Sequence, residues 1–163
     1  MKSLMGQSFV AGLQYYFGTK AEYVGLSDES WAGQSGWWDV KVMNWQATKF
    51  EFRFLEEVGD RYHYAITGAK GSGYYAGAAV GQSVNGYLGM YHVGAVDNVW
   101  KFDFTNTSEK GFSLRDKYGN QVKMDGQPHN NYLHIPDYRS FGRFNTVKGK
   151  ISRFDLFEPK LLS

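Results

Sequence analysis

The stretch FEFRF at residues 50–54 decides the fold class of this chain. Successive side chains of a β-strand point to opposite faces, so this alternation places three phenylalanine rings on one face and two charged groups on the other. The same order of ring, charge and apolar side chain returns as FDF at 102–104 and FDL at 154–156. Phe52, Phe102 and Phe154 lie 50 and 52 residues apart. This spacing predicts three repeated units whose rings converge on one core.

A tyrosine-led segment precedes each of these core segments. It reads YVG at 23–25, YAG at 75–77 and YLH at 132–134. The segment YLG at 87–89 fits the same pattern, which leaves the register of the second unit open. We predict a single domain over residues 1–163, built from repeat units at about 7–57, 58–106 and 107–158, each with about four strands.

The rest of the chain is typical of an all-β protein. Short apolar or alternating segments are separated by Gly, Asn, Asp and Ser, and almost nothing has helical periodicity. The candidate strands are residues 9–13, 22–27, 37–44, 50–55, 62–67, 74–78, 87–91, 99–105, 112–115, 121–124, 132–135, 143–147 and 152–157. The aromatic content, 12 Phe, 12 Tyr and 5 Trp among 163 residues, excludes a wholly disordered chain. The lack of Cys excludes a disulfide scaffold and thiolate chemistry.

This pattern resembles the β-trefoil superfamily, whose members have three pseudo-symmetric four-strand units, a Tyr-Leu-like second strand and a Phe or Trp in the fourth. The resemblance covers about residues 7–158 and is closer to lectin-like and fascin-like trefoils than to ricin-type lectin domains. The Gln-x-Trp repeat of the ricin type is absent, since NWQ at 44–46 has the wrong order. The alternative is a single up-and-down β-barrel of the lipocalin or avidin type, which leaves the three Phe spacings unexplained.

Aromatic and short polar side chains concentrate in two predicted loops, one in the first unit and one in the third. A carboxylate that accepts sugar hydroxyls, beside a ring that stacks on the apolar face of a sugar, is the usual chemistry of carbohydrate binding. The predicted ligand-binding residues are Asp28, Trp31, Gln34 and Trp38 in one site and Asn131, Asp137, Tyr138 and Arg139 in the other. The resemblance implies that such sites repeat with the pseudo-threefold. We expect a soluble carbohydrate-binding protein, lectin-like and without catalysis, that has one or two shallow loop sites.

Three other functions stay open at the level of sequence. The loops of a trefoil could bind a protein, as a protease inhibitor or a cytoskeletal binder does. A small-ligand β-barrel or a barrel enzyme would need a deep cavity. A basic run could bind an acidic polymer or nucleic acid through its summed field. That run comprises Arg139, Arg143, Lys148, Lys150 and Arg153.

The motifs that suggest catalysis, phosphate binding or metal binding are all incomplete. GAKGSGYYAG at 68–77 lacks the Gly-Lys-Ser/Thr ending of a phosphate loop and is interpreted as a flexible hairpin between two strands. DKYGN at 116–120 resembles the start of a calcium loop, but a hairpin turn explains it better. We therefore expect no catalytic residue, no cofactor and no metal ligand.

Partners and location follow from the same composition. Glycans are the expected partners, and a protein partner and a homo-oligomer stay open. Nucleic acid is less favoured, because the basic run is better explained as a solvated face of strands and loops. The N-terminal residues form no apolar run of signal-peptide length, and no stretch approaches the roughly 20 apolar residues that span a bilayer. We expect a cytoplasmic protein without membrane insertion, with non-classical release left open.

Overall fold

The computed structural model describes residues 2–17, 20–27, 36–84, 86–92, 98–105, 111–125, 143–147 and 149–162. Within these ranges the regular structure is β-strand, apart from short 3₁₀ turns at Lys2–Leu4, Asn44–Gln46 and Gly73–Tyr75. The strands are β1 (Phe9–Phe17), β2 (Lys20–Leu26), β3 (Trp38–Lys41), β4 (Phe50–Val58), β5 (Arg61–Gly68), β6 (Ala79–Gln82), β7 (Leu88–Tyr91), β8 (Trp100–Asp103), β9 (Ser113–Arg115), β10 (Lys123–Asp125), β11 (Arg143–Asn145), β12 (Lys150–Ile151) and β13 (Phe154–Leu161). The all-β prediction is confirmed.

One set of antiparallel pairings runs through six strands and returns to its start. β1 pairs with β4, β4 with β5, β5 with β8, and β8 with β9. A bridge between Phe112 and Phe154 then connects the segment that enters β9 to β13. β13 lies beside β1, with pairs from Tyr15–Phe154 to Phe9–Leu161. The antiparallel sheet therefore curls until its last strand meets its first.

The other strands form hairpins in the same sheet, and two of these hairpins continue directly from the circuit, because β2 pairs with β1 and β6 pairs with β5. β2 pairs with β3, β6 with β7, and β10 with β11, while the short β12 adds to the outer side of β10. Among the described residues, each hairpin is connected to the next by one residue pair. These pairs are Trp37–Gly89, Tyr87–Asn145 and Arg143–Asp39.

The core of the molecule is built largely from aromatic rings. Phe52, Phe102 and Phe154 are all fully buried, as their predicted role in packing requires. The Phe52 and Phe102 rings meet edge to face with centroids 5.6 Å apart. Phe112 stacks on Phe102 at 4.4 Å and reaches Phe154 at 6.3 Å. Because buried rings in such contacts stabilise a core beyond the area they remove from water, this cluster holds the six-strand circuit together.

The segment at 74–78, predicted as a strand, is instead a turn, and this part of the prediction is wrong. The chain folds back on Gly68 after β5, because the Gly77 N–H donates to the Gly68 carbonyl at 2.8 Å and the Gly68 N–H donates to Ala78 at 2.9 Å. A Cβ on Gly68 would lie 2.1 Å from the carbonyl oxygen of Tyr75, so only glycine allows this approach. The second strand of this region is therefore β6, which begins at Ala79.

Candidate functional site

Most of the binding residues predicted from sequence lie outside the residues that the structure describes. These are Asp28, Trp31, Gln34, Asn131, Asp137, Tyr138 and Arg139.

Trp38 is described, and the prediction that it contacts a ligand is wrong. The pairing of Trp38 with Leu26 turns its side chain into the core, where it is fully buried. Its indole ring packs against Phe50, with centroids 4.8 Å apart, and its N–H donates to the Met90 sulfur at 3.4 Å. A ring enclosed in this way cannot stack on a sugar at the surface.

The basic run is only partly on the surface. Lys150 is exposed, but Arg153 is largely buried and its guanidinium donates to the Gly111 carbonyl at 2.7 Å. Only the backbone of Arg143 is described, and Arg139 and Lys148 lie outside the described residues. Arg153 therefore contributes to the fold and does not present its charge to a polyanion.

An open cleft of about 540 Å³ lies at a different place in the fold. Residues 45–49, which lead into β4, form one wall, and residues 70–73, which follow β5, form the other. Leu26 and Lys41, at the ends of β2 and β3, complete the lining. The volume falls within the roughly 300–1,000 Å³ of small-ligand sites in proteins.

The first wall depends on a close approach at Gly25. A Cβ at this position would lie 2.7 Å from the Gln46 carbonyl oxygen and 2.6 Å from Cγ of Lys41, so glycine lets the 3₁₀ turn at 44–46 fold onto β2. The turn is closed by the Met43 N–H, which donates to Oε1 of Gln46 at 3.1 Å. At its tip the Trp45 side chain is left 75 % exposed.

The second wall is held to the first through a single carbonyl group. The Lys49 carbonyl oxygen accepts the Ala69 N–H at 3.0 Å and the Ser72 hydroxyl at 2.9 Å. These two bonds hold the turn at 70–73 beside the entrance of β4. The glycine-rich stretch therefore forms a turn between strands, as predicted, and leads into no helix that could hold a phosphate.

The electrostatic character of the cleft comes from Lys41, Lys49 and Lys70. The Lys49 ammonium lies 3.1 Å from Oε2 of Glu158 and 4.4 Å from the centroid of the Phe157 ring. Both partners of this ion pair are substantially exposed, so the pair adds little stability and is open to competition from another anion. Among the described residues that line the cleft there is no Asp, Glu or His.

The lining is chemically suited to binding. Trp45 offers a large ring face, the lysines offer ammonium donors, and residues 71–73 add a hydroxyl-bearing, glycine-rich turn. An exposed ring beside charged donors can combine apolar contact with charge-assisted hydrogen bonds.

Asp116 is fully used by the turn in which it lies. Its Oδ1 accepts the N–H groups of Tyr118 and Asn120, both at 2.9 Å, and its Oδ2 accepts the side-chain amide of Gln82 at 3.1 Å. A carboxylate surrounded by N–H donors is arranged for a turn, as predicted for residues 116–120, and not for calcium. Across the described ranges, no group of three or more His, Asp or Glu side chains could hold a metal ion.

A search of the described residues finds no helix whose length and hydropathy would let it cross a membrane. Comparison of the chain with protein-family models, with curated proteins and with solved structures found no match.

Proposed function

We propose that this protein is a carbohydrate-binding β-trefoil that acts without catalysis through the cleft beside Trp45. The fold proposal is supported by the strand order. The strands fall into three sets of four. The first set is β1 to β4, the second is β5 to β8, and the third is β9, β10, β11 and β13. In each set a middle hairpin leaves the six-strand circuit, and the first strand pairs with the fourth or is bridged to it.

The positions of the repeated phenylalanines also support three equivalent units. On the fourth strand of each set, the repeat phenylalanine is paired with a residue at the start of the set: Phe52 with Phe9, Phe102 with Tyr62, and Phe154 with Phe112. A simple up-and-down barrel pairs neighbouring strands in sequence and offers no reason for this equivalence.

Carbohydrate binding is supported above all by the exposure of Trp45. A tryptophan ring that is 75 % exposed at the edge of an open cleft keeps its apolar face available to a ligand. Sugars present an apolar ring face surrounded by hydroxyl groups. The ring of Trp45 and the polar groups of residues 70–73 match these two surfaces.

The test is an array of neutral and acidic glycans, followed by calorimetric titration of the strongest ligand. We expect Trp45→Ala to weaken its binding about tenfold, since a stacked ring contributes roughly 1–2 kcal/mol. Tyr118→Ala is the matched control, because Tyr118 is 78 % exposed but does not line the cleft. Absence of any bound saccharide, or an equal loss in both variants, would contradict the proposed function.

A further inference from the structure

We infer that the cleft selects acidic saccharides, with a sulfate or carboxylate group placed among its lysines. This inference rests on the proposed function and adds the charge class of the ligand. It is carried by the cleft's own composition: of the described residues that line it, three are lysines and none is acidic. A hydrogen bond from an ammonium group to an anion is roughly twice as strong as a bond between neutral groups.

Lys70 is the lysine most available to a ligand. It is exposed in the turn after β5, and it makes no ion pair with another described residue. Its backbone lies between Ala69 and Ser72, which are both hydrogen-bonded to Lys49. The turn that carries this charge is therefore fixed to the opposite wall of the cleft.

Glu158 acts as an internal competitor for the ammonium group of Lys49. Its carboxylate holds the Lys49 ammonium at 3.1 Å. An anionic ligand that reaches Lys49 must share this ammonium with Glu158 or displace it. Removal of the Glu158 charge should therefore strengthen acidic ligands, the opposite of what removal of a lysine does.

The size and composition of the cleft favour a short saccharide over a nucleic acid. A strand of nucleic acid needs a long basic track, and its binding usually combines several aromatic rings with arginine. The described lining has one aromatic side chain and no arginine, and the whole chain carries a net charge of only +2. The volume of about 540 Å³ suits a small ligand.

The experiment compares three tetrasaccharides by calorimetric titration of the full chain: chondroitin sulfate, its desulfated form, which keeps the carboxylates, and neutral chitotetraose. The proteins are the wild type, Lys70→Gln, Glu158→Gln and the control Lys150→Gln, which changes an exposed lysine outside the cleft. All four are first checked for equal thermal unfolding. Titration in 50 mM and 200 mM salt then shows how far the affinity depends on charge. A single-stranded DNA 12-mer is titrated as well, as the rival type of ligand.

We expect at least one acidic tetrasaccharide to bind about tenfold more tightly than chitotetraose. Lys70→Gln should weaken that ligand about fivefold and Glu158→Gln should strengthen it about threefold, while Lys150→Gln leaves it unchanged. Tighter binding of the sulfated form would identify sulfate as the anion that the cleft binds, and tighter binding of the desulfated form would identify the carboxylate.

Two results would overturn the inference about charge, and a third, different result would overturn the proposed function. Equal affinity for chitotetraose and the acidic forms, with Trp45→Ala still weakening both, removes the charge selectivity but keeps carbohydrate binding. Tighter binding of the DNA 12-mer, sensitive to Lys70→Gln, assigns the lysines to another polymer. Failure of every saccharide on the array and in titration removes the proposed function itself.

Discussion

Glu158 is the only non-glycine residue in the described part of the chain with a positive φ, at +49°. It lies at a bulge, because β1 advances by two residues between Val10 and Gly12 while β13 advances by three between their partners Lys160 and Phe157. The extra residue forces the backbone of β13 into the left-handed region. This kink directs the Glu158 carboxylate to the Lys49 ammonium at the edge of the cleft.

The strain at residue 158 gives a prediction about stability. Glu158→Gly and Glu158→Ala both remove the ion pair with Lys49, so their difference reports the backbone alone. We expect Glu158→Gly to be about 1 kcal/mol more stable than Glu158→Ala, because glycine adopts a positive φ without a steric penalty. Urea denaturation midpoints measure this difference, and equal midpoints for the two variants would contradict the strained geometry.

At the residue scale, the sequence predicted burial well where alternation was clear and poorly where it was not. The rings of Phe52, Phe102 and Phe154 alternate with charges, so their inward face follows from the strand period alone. Trp37 and Trp38 are adjacent in the sequence, but Trp37 is half-buried just before β3 and Trp38 is fully buried at its first position. Only the pairing of Trp38 with Leu26 decides which of the two is buried, and no local pattern encodes that pairing.

At the scale of elements, Asp103 joins three strands. Its carboxylate lies at the end of β8, almost fully buried, with Nε of Arg115 from β9 at 2.6 Å and Nε of Arg61 from β5 at 3.8 Å. The Thr105 hydroxyl and N–H also donate to Oδ1, at 2.6 and 2.9 Å. The carboxylate therefore holds the ends of β5, β8 and β9 together as long as it is charged.

These contacts predict a pH dependence of stability. Burial alone would raise the pKa of Asp103, but hydrogen bonds from Thr105 and the bond and charge of Arg115 outweigh it and hold the pKa below its usual 3.8. A lowered pKa in the folded state gives a stabilisation that is present above pH 3.8 and is lost as the pH falls through the folded pKa. We expect the wild type to lose more stability than Asp103→Asn between about pH 6 and about pH 2. Urea midpoints at the two pH values test this, and parallel losses would contradict it.

The cleft is an element-scale feature that spacing alone could not reveal. Lys49 and Lys70 are separated by the whole β4–β5 hairpin, and their approach depends on the length and bulge of that hairpin. Trp45 stood in a segment, NWQ at 44–46, that matched no known motif. Its exposure results from Gly25, which accepts the turn onto β2, and such a contact between distant residues leaves no local signal.

At the scale of the whole molecule, residues near the two described ends of the chain lie together. The Leu162 N–H donates to the Ser8 carbonyl at 3.0 Å, just beyond the Phe9–Leu161 pair of β1 and β13. The repeat in the sequence predicts one continuous domain of three units, because a phenylalanine recurs at similar spacing, and Phe52, Phe102 and Phe154 are all buried. The spacing carried no information on this closure, which depends on the register between the first and last strands.

The adjacency of the ends predicts that a circular permutant folds. We expect a chain joined from residue 163 to residue 1 by a flexible linker of about six residues, with new ends in the exposed turn at Gly59 and Asp60, to stay folded and keep saccharide binding. Cooperative thermal unfolding and titration measure both properties. As the contrasting case, new ends between Gly111 and Phe112 disrupt the bridge to Phe154 and should destabilise the fold. Equal stability of the two permutants would show that this bridge does not hold the sheet closed.

The pairing of β1 with β13 also has a consequence for how the protein is made. During synthesis β1 emerges long before β13, and the edge that β13 will cover stays open until β13 itself has left the ribosome. Contacts between residues so far apart close large loops and therefore form slowly. The growing chain thus carries an unpaired strand edge until β13 is made, and completion of this sheet waits for that strand.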